Sequence, residues 1–229
     1  MTTDGGPCVG TYAPALRHER VGDETVPLWQ VADLERHVDR EALLADENPA
    51  EPPYWAYLWS GARVLAEVVP PAQGRGIELG CGLALPGITA ARRGTRMLLV
   101  DRVRAPLVYA RASAAANGLT TVETAVTDVT SPALRGQFDL VLAAELLYER
   151  VAFRALADAM AVVLAPRGIG LLTDAGRIDT ADFYPALEAA GLHWEVREVT
   201  AREEGVPVRI RIVTFGHAAA HRPNFSIFR

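Results

Sequence analysis

The stretch Glu78-Leu-Gly-Cys-Gly-Leu-Ala-Leu-Pro-Gly87 joins a short apolar segment, Gly76–Leu79, to a segment with helical character, Pro86–Arg93. Glycines directly after a strand allow the backbone to turn sharply and to approach a ligand at the carboxyl end of that strand. A strand, a glycine-rich loop and a helix in this order are typical of the first unit of a doubly wound α/β sheet. The stretch therefore predicts both the class of fold and the position of a ligand site.

The rest of the chain continues this alternation of strands and helices. Short apolar runs predict strands, and longer segments with apolar residues on one face predict the helices between them. The predicted strands are Gly76–Leu79, Met97–Val100, Val122–Val126, Phe138–Ala143 and Ile169–Thr173. The predicted helices are Ala62–Val69, Pro86–Arg93, Pro106–Ala116, Phe153–Leu164 and Asp182–Ala190. Strands joined through helices in this way pair in parallel, with right-handed crossovers.

The C-terminal part of the chain breaks the alternation. His193–Thr200 and Val206–Phe215 both have strand character, and only residues 201–205 separate them. Because a parallel crossover needs about a dozen residues or more, these two strands must pair antiparallel. We therefore predict an α/β, Rossmann-like, doubly wound seven-stranded sheet with a C-terminal antiparallel hairpin and one reversed strand.

Length and composition fit one main domain. The chain has 229 residues, of which 50% are hydrophobic, so it can bury a large core. We predict an N-terminal extension over residues 1–50, with an amphipathic stretch at Val31–Leu44, that packs on a main domain over residues 51–216; residues 217–229 are a tail. No apolar run approaches the roughly 18 residues of a membrane helix, and the first residues have no basic region typical of a secretory signal. We expect a cytoplasmic protein without a membrane partner.

The charged residues and cysteines exclude several classes of site. All 23 basic residues are arginine, so the chain has no lysine for Schiff-base catalysis or for a P-loop. The net charge is −5 and the arginines are scattered, whereas a nucleic-acid-binding protein usually has a basic stripe. The two cysteines form no CxxC or Cys/His cluster. We expect neither a nucleic-acid partner nor a bound metal.

The composition of the glycine loop indicates which ligand it binds. The dinucleotide fingerprint G-x-G-x-x-G requires a glycine at position 85, where this chain has Leu85. Glu78 is unfavourable beside a phosphate but favourable beside a cation or an ammonium group. S-adenosylmethionine carries a sulfonium and an α-ammonium group and no phosphate. The loop therefore favours S-adenosylmethionine over a dinucleotide.

Three acidic residues follow predicted strands and strengthen this interpretation. Asp101, Asp128 and Glu145 follow the second, third and fourth strands of the parallel series. Because the carboxyl ends of parallel strands meet at one edge of the sheet, these side chains are expected near the same ligand. Asp101 is placed to accept the two ribose hydroxyl groups, and Asp128 to meet the adenine amino group.

Together these segments resemble a known family. Glu78-Leu-Gly-Cys-Gly82, Leu98-Leu-Val-Asp101, Phe138-Asp-Leu-Val-Leu-Ala-Ala-Glu-Leu-Leu-Tyr148 and the terminal hairpin resemble the seven-β-strand, class I S-adenosylmethionine-dependent methyltransferases. Pro52-Pro-Tyr-Trp-Ala-Tyr-Leu-Trp-Ser-Gly61 and the Glu145–Tyr148 spacing resemble the methyltransferase-16 group of protein methyltransferases. Within that group, the electron-transfer-flavoprotein β-subunit lysine methyltransferases are the most similar, because they share the aromatic segment and an Asp-x-Gly-Arg motif, here Asp174–Arg177.

The resemblance implies roles for particular residues. Glu145 and Tyr148 would face the methyl-accepting group, and Ala84 stands where many relatives have a third glycine, which we expect to perturb cofactor affinity at most. The residues that would line the cofactor are Trp59, Gly80, Cys81, Gly82, Asp101 and Ala144.

The methyl acceptor is open at this point. A lysine acceptor must lose its proton, and an aromatic channel built by Tyr54, Trp55, Trp59 and Tyr148 would favour the neutral amine. The alternative interpretation of the aromatic segment is core packing, and one tryptophan can pack while another faces the ligand. Three hypotheses follow: a protein N-methyltransferase acting on lysine, a small-molecule N- or O-methyltransferase, and a Rossmann-like binding protein without catalysis.

Overall fold

The central element is a mixed seven-stranded sheet. In the computed structural model, which describes residues 6–37, 53–71, 74–131, 134 and 136–217, its strands lie in the order β5-β4-β3-β6-β7-β9-β8. They are β3 (Arg75–Leu79), β4 (Arg96–Asp101), β5 (Val122–Val126), β6 (Phe138–Ala144), β7 (Leu164–Asp174), β8 (Leu192–Glu203) and β9 (Val206–His217). Strands β3 to β7 pair in parallel, and β9 pairs antiparallel with both β7 and β8. The predicted fold class is confirmed, including the single reversed strand.

Helices cover both faces of this sheet. They are α1 (Ser60–Val68), α2 (Leu85–Arg92), α3 (Arg104–Ala116), α4 (Phe153–Val163) and α5 (Phe183–Ala189). Strand β6 shows how two cores form, since Leu140 and Leu142 pack with α1, α2 and α3, whereas Val141 and Ala143 pack with α4 and α5. This alternation follows from the two-residue period of a strand buried on both faces.

A second, two-stranded sheet precedes the main one. Strand β1 (Pro14–Val21) pairs antiparallel with β2 (Glu24–Val31), and this hairpin packs against the helices. The backbone N–H of Trp29 donates to Ser113 Oγ at 2.9 Å, and Asn117 Nδ2 donates to the carbonyl of Pro27 at 2.7 Å. The hairpin therefore docks on α3, mainly through β2.

This hairpin was not predicted from the sequence. The predicted amphipathic stretch is wrong at its start, because Val31 is the last residue of β2 and a short 3-10 helix (Leu34–His37) follows it. The alternation of buried residues in β2 is short, because only Val26 and Leu28 alternate before Val31. The helical spacing predicted for Val31–Leu44 is longer, and it was therefore preferred. The rest of that stretch and the tail after residue 217 lie outside the described residues, and the domain boundaries at residues 50 and 216 stay predictions.

The C-terminal hairpin is longer than predicted and extends beyond the sheet. Strand β8 continues to Glu203, and the turn consists of Glu204 and Gly205, both with positive φ, 49° and 83°. Because two positive φ values define a tight two-residue hairpin turn, the strands continue up to it. The last residue of β7, Asp174, pairs with Arg211 of β9, so the five residues 206–210 reach past the carboxyl end of β7. The tip of the hairpin therefore lies on the side of the sheet where the predicted ligand site lies.

The helices of the described part of the chain also bear on membrane association. None of them is both long enough and apolar enough to cross a lipid bilayer.

Candidate active site

The loop between β3 and α2 is built from left-handed turns. Gly80, Gly82 and Ala84 have φ values of 58°, 47° and 61°, which glycine adopts without strain. The N–H of Cys81 donates to the carbonyl of Val100 at 2.9 Å, which fastens the loop to β4. The three residues that were predicted to line the cofactor here, Gly80, Cys81 and Gly82, form one tight backbone surface at the carboxyl edge of the sheet.

Ala84 adopts the backbone conformation that the resemblance assigns to a glycine. It is the residue before the first turn of α2, and its side chain is buried. A non-glycine residue in this region costs about 1–2 kcal/mol. Ala84 therefore keeps the left-handed geometry of the loop, but the backbone at this position is strained.

Asp101 connects the glycine loop to the end of β4. Its Oδ2 accepts a hydrogen bond from the N–H of Gly82 at 3.1 Å, and its Oδ1 accepts one from the N–H of Val103 at 2.9 Å. Burial raises the pKa of this carboxyl, and the two N–H donors oppose the rise by stabilising the anion. Each carboxylate oxygen can accept a further hydrogen bond, as the predicted contact with ribose hydroxyls requires.

Glu78 lies beneath the loop. Its carboxyl is completely buried, and Oε2 accepts a hydrogen bond from the N–H of Gly87 in the first turn of α2 at 2.8 Å. Desolvation raises the pKa of Glu78 to about 8, and the neighbouring Asp101 adds to the rise. Glu78 therefore stabilises the loop and the start of α2 from below; its direct contact with the cofactor stays a prediction.

The buried position of Glu78 predicts a pH dependence of stability. In the unfolded chain Glu78 loses its proton near the usual value of 4.5, whereas in the folded chain it keeps the proton up to about pH 8. The folded state therefore binds more protons in this window, and the free energy of unfolding falls as pH rises through it. We expect Glu78→Gln to remove a pH-dependent loss of up to about 4 kcal/mol between pH 5 and 8.

Urea denaturation of the cofactor-free protein at several pH values measures this effect. The glutamine carbonyl can still accept the hydrogen bond from Gly87, so the two proteins should be similar in stability at pH 5. The prediction would be contradicted if the free energy of unfolding changed equally with pH in Glu78→Gln and in the wild type between pH 5 and 8.

Asp128 lies in the loop after β5, and its carboxylate is engaged in its own turn. Oδ1 accepts hydrogen bonds from the N–H and the hydroxyl of Thr130 at 2.8 and 2.7 Å, and these bonds lower its pKa. The preceding residue, Thr127, donates its N–H to the carbonyl of Asp101 at 3.0 Å. Asp128 is thus at the same edge of the sheet as Asp101 and exposed; its contact with adenine stays a prediction.

Glu145 occupies the end of β6, after Ala144, in a left-handed conformation with φ of 54°. Its Oε1 accepts a hydrogen bond from the N–H of Gly61 at 3.1 Å, and its Oε2 accepts one from the N–H of Ala175 at 3.2 Å. A methyl group on Gly61 would overlap Glu145 Oε1, so a glycine is needed for this approach. The carboxylate therefore ties β6 to the start of α1 and to the loop after β7.

The surroundings of Glu145 perturb its ionisation. Its side chain is 7% exposed, and Arg177 Nε lies 3.6 Å from Oε2. Burial raises the pKa of Glu145 above its usual value, the Arg177 guanidinium opposes this rise, and Asp174 adds to it. A buried carboxylate with one nearby cation is the kind of group that can orient or deprotonate a bound amine.

The aromatic segment divides into two parts. Trp59 donates its ring N–H to the carbonyl of Tyr54 at 3.0 Å and contacts the ring of Tyr57, with centroids 4.6 Å apart. Trp55 packs against Tyr12 and Tyr109 instead, with ring centroids 5.5 Å apart in both pairs. The predicted four-ring channel is therefore wrong in including Trp55, for which the alternative of core packing holds. Trp55 lies within a 3-10 helix at Tyr54–Ala56, and Trp59 follows that helix.

Tyr148 lies at the outer end of the segment that begins with Glu145. It is 46% exposed, whereas Leu147 beside it is buried in the core and Leu146 packs against Gly80 of the glycine loop. The segment thus connects the loop to the aromatic side of the site, and the role of Tyr148 toward an acceptor stays a prediction.

Arg177 and Glu203 were not predicted as residues of the site, although they contact each other and Trp59 does contact Arg177. Arg177 Nη2 donates to both carboxylate oxygens of Glu203, at 2.8 and 3.1 Å, and the Arg177 guanidinium carbon lies 4.4 Å from the centre of the Trp59 ring. Arg177 belongs to the Asp-x-Gly-Arg motif, which signalled it in the sequence without giving it a role. Glu203 carried no signal, because it falls in the predicted linker of residues 201–205.

Acidic and arginine side chains hold the turn that presents Arg177. Asp174 Oδ1 accepts a hydrogen bond from the N–H of Gly176 at 2.9 Å, and its Oδ2 lies 3.1 Å from Arg211 Nη2 and accepts the hydroxyl of Thr180 at 3.0 Å. Because Asp174 is buried, this turn is firmly placed relative to β7 and β9. Within the described ranges, no group of three or more His, Cys, Asp or Glu side chains is arranged to hold a metal ion.

This geometry fits S-adenosylmethionine. The left-handed loop provides a close backbone approach, Asp101 provides acceptors for hydroxyl groups, and the buried Glu78 fixes the loop from below through its bond to Gly87. No arginine or lysine occurs between Gly80 and Gly87 to meet a phosphate.

Comparison with protein-family models gives the decisive observation. A model described as a methyltransferase domain matches residues 77–168. This segment is a methyltransferase domain. The chain is an enzyme of that kind, and S-adenosylmethionine is its methyl donor. No curated protein sequence matches the chain significantly.

Solved structures of methyltransferases share the fold of this enzyme. The N-methyltransferase NodS from Bradyrhizobium japonicum WM9, solved with S-adenosyl-L-homocysteine, is 20% identical with a TM-score of 0.57 over 81% of this chain and 96% of NodS. A TehB-like S-adenosylmethionine-dependent methyltransferase from Corynebacterium glutamicum ATCC 13032 Kitasato is 17% identical, with a TM-score of 0.55 over 80% and 97%. Precorrin-6y C5,15-methyltransferase from Geobacter metallireducens GS-15 is 16% identical, with a TM-score of 0.55 over 69% and 86%.

The matched segment separates two sides of the methyltransferase site. It includes the glycine loop, Asp101, Asp128 and Glu145, whereas Trp59, Arg177 and Glu203 lie outside it. We call the part of the site within residues 77–168 the inner side. The outer side is the part formed by the elements before and after this segment.

Proposed function

We propose that this methyltransferase transfers a methyl group to the ε-amine of a lysine in a protein, as the methyltransferase-16 group does, and that it resembles the electron-transfer-flavoprotein β-subunit lysine methyltransferases in function. The observation that carries the proposal is the charge around Arg177, where Glu145 of the matched segment meets the flanking elements. Three carboxylates, Glu145, Glu203 and Glu204, gather with one cation, Arg177, around the rings of Tyr57 and Trp59. An acidic and aromatic site suits a cationic acceptor better than an anionic one.

The chemistry requires a neutral amine in line with the methyl group. S-adenosylmethionine, when bound, supplies a methyl group made electrophilic by its sulfonium. A lysine amine has a pKa near 10.4 in water, so it arrives as ammonium. The aromatic rings of Tyr57 and Trp59 favour its neutral form by excluding water, and Glu145 accepts a hydrogen bond or the proton from the nitrogen. Alignment of donor and acceptor supplies most of the remaining acceleration.

The test is mass spectrometry of a bacterial lysate treated with the enzyme and a deuterated methyl donor. We expect the label on protein lysines, at a rate that rises with pH as more amine is neutral. Because the chain itself has no lysine, every labelled lysine must belong to another protein. A reaction without added enzyme measures labelling by the methyltransferases of the lysate.

The alternative is a small-molecule N- or O-methyltransferase with the same donor site. The likeness to precorrin-6y C5,15-methyltransferase favours it, although that likeness extends only to the fold. Label found only in metabolites would contradict the lysine proposal and support this alternative. The non-catalytic hypothesis is opposed by the methyltransferase domain itself.

We also propose a cytoplasmic location, with neither a nucleic acid nor a membrane as partner. The net charge of −5 and the scattered arginines support the absence of a nucleic-acid partner. The helices of the described ranges, all too short or too polar to span a bilayer, are consistent with the absence of a membrane partner.

A further inference from the structure

Arg177 lies between two carboxylates and an aromatic ring. Its Nη2 binds both oxygens of Glu203, its Nε lies 3.6 Å from Glu145 Oε2, and its guanidinium covers the Trp59 ring at 4.4 Å. Different nitrogens of one planar group thus face the two acids, so the orientation of one contact constrains the other.

We propose that Arg177 is a positioning residue for methyl transfer: it holds the Glu145 carboxylate in the orientation that faces the acceptor amine, and Glu203 at the hairpin tip holds Arg177 in place. This inference rests on the proposed function, because it takes Glu145 as the group that meets the acceptor.

Consecutive backbone donors support the arrangement. The N–H of Ser60 donates to Glu203 Oε2 at 3.3 Å, and the N–H of Gly61 donates to Glu145 Oε1 at 3.1 Å. The hydroxyl of Ser60 adds a bond of 2.7 Å to Glu203. Both carboxylates therefore sit at the N-terminus of α1, where the helix dipole favours negative charge, and Arg177 bridges them.

The burial of Glu145 makes the arginine necessary. A carboxylate that is 7% exposed is strongly penalised unless a cation or several hydrogen bonds compensate it. Two N–H groups already bond to Glu145, and Arg177 is the cation in contact with it. The Trp59 face also shields the guanidinium from water, which strengthens its interaction with both acids.

The charged groups around Glu145 determine the direction in which removal of Arg177 shifts the pKa of Glu145. Arg177 lowers the pKa of Glu145, and Asp174, at the end of β7, raises it. Glu203 approaches from the hairpin tip and is paired with Arg177, while Arg211 on β9 is paired with Asp174. Removal of Arg177 leaves only the N–H groups of Gly61 and Ala175 to oppose burial, so the pKa of Glu145 must rise and the carboxylate must take up its proton at higher pH.

The experiment combines Arg177→Gln and Glu145→Gln in a double-mutant cycle. Turnover is measured as methyl incorporation into whichever lysate fraction, protein or metabolite, takes up label with the wild-type enzyme. We expect Arg177→Gln to reduce turnover at pH 7 by about tenfold or more and to shift the acid limb of the rate profile upward by about one pH unit. Arg177→Lys should restore part of the rate, because it restores the charge without the planar group.

In the Glu145→Gln background, Arg177→Gln should reduce turnover by less than about a further twofold. A residue that acts through the Glu145 carboxylate has no effect once that carboxylate is absent. Affinity for S-adenosyl-L-homocysteine, measured by calorimetry, should change little in every variant. Glu203→Gln provides a second variant with a smaller effect in the same direction, which is measured if Arg177→Gln folds poorly.

A readout without substrate comes from carbon-13 NMR of glutamate carboxyl groups. The Glu145 resonance is assigned by its absence in Glu145→Gln, and its titration midpoint should rise in Arg177→Gln. The matched control is Arg150→Gln, which removes an arginine paired with Asp179 at 2.6 Å in the neighbouring surface region. That variant should leave the Glu145 midpoint unchanged.

Three outcomes are decisive. Additive losses in the double mutant, or an unmoved Glu145 midpoint in Arg177→Gln, would overturn the role of Arg177. Full turnover of Glu145→Gln alone would overturn the role of Glu145 toward the acceptor, while the NMR titration would still report whether Arg177 controls that carboxyl. The failure of the inference is therefore distinguishable from the failure of the proposed function.

Discussion

Replacement of Glu145 by glutamine is expected to reduce turnover by about 10²-fold or more while affinity for S-adenosylmethionine stays nearly unchanged. Glutamine keeps the size of the side chain but removes the charge that orients the acceptor amine or takes its proton. Initial rates of methyl incorporation, together with calorimetric titration of the cofactor product, measure the two effects separately.

The structure adds a stability cost to this prediction. Each oxygen of Glu145 accepts a backbone N–H, from Gly61 and from Ala175, and the amide nitrogen of glutamine cannot accept either bond. One donor is left unpaired, at a cost of about 1–3 kcal/mol, so the melting temperature should also fall. Glu149→Gln, at an exposed acid four residues away, is the matched control and should change neither property. Unchanged turnover in Glu145→Gln would reduce Glu145 to an acid that only binds backbone groups.

Asp101→Ala is expected to remove most of the thermal stabilisation that S-adenosylmethionine gives the protein. Binding to the native state alone stabilises it by about 2.7 kcal/mol when the ligand is at 100 times its dissociation constant. Without Asp101 the loop loses the acceptor for the N–H of Gly82, and the ribose loses its predicted acceptor. Affinity should fall by about fiftyfold or more, in the range of a charge-assisted hydrogen bond.

Asp139→Ala is the matched control for this variant. Asp139 also accepts a backbone N–H, that of Arg75 at 2.9 Å, but near the start of β6 and so at the opposite edge of the sheet. Loss of this bond should reduce stability without affecting the ligand-dependent shift in melting temperature. Equal shifts in Asp101→Ala and the wild type would contradict the placement of the ribose beside Asp101.

Local patterns were sufficient to predict the main sheet. Each buried strand has a short apolar run, and the linker of residues 201–205 was too short for a crossover, which required the reversed strand. The length of that hairpin was not predictable in the same way, because Glu204 adopts a positive φ that its residue type does not signal. Hairpin β1–β2 was missed for a related reason, since its apolar alternation is too short to compete with a helical spacing.

The inner and outer sides of the site differ in predictability. Gly80, Gly82 and Asp101 follow strands directly, so the fold class alone brings them to one edge. Arg177 and Glu203 meet across the end of the sheet, and their contact depends on how far β8 and β9 extend beyond β7. No local pattern in a single sequence encodes such a distance.

Under the proposed function, the overhang of the C-terminal hairpin makes acceptor choice and donor binding separable features of this enzyme. The tip at residues 201–207 reaches the aromatic side of the site through Glu203 and Glu204, whereas the glycine loop and Asp101 are anchored within the sheet. Loop grafting could thus exchange the tip for that of another methyltransferase and redirect the enzyme to a new acceptor. Homologues with the same residues at the donor site can differ in substrate through substitutions in this one turn, while the catalytic centre stays unchanged.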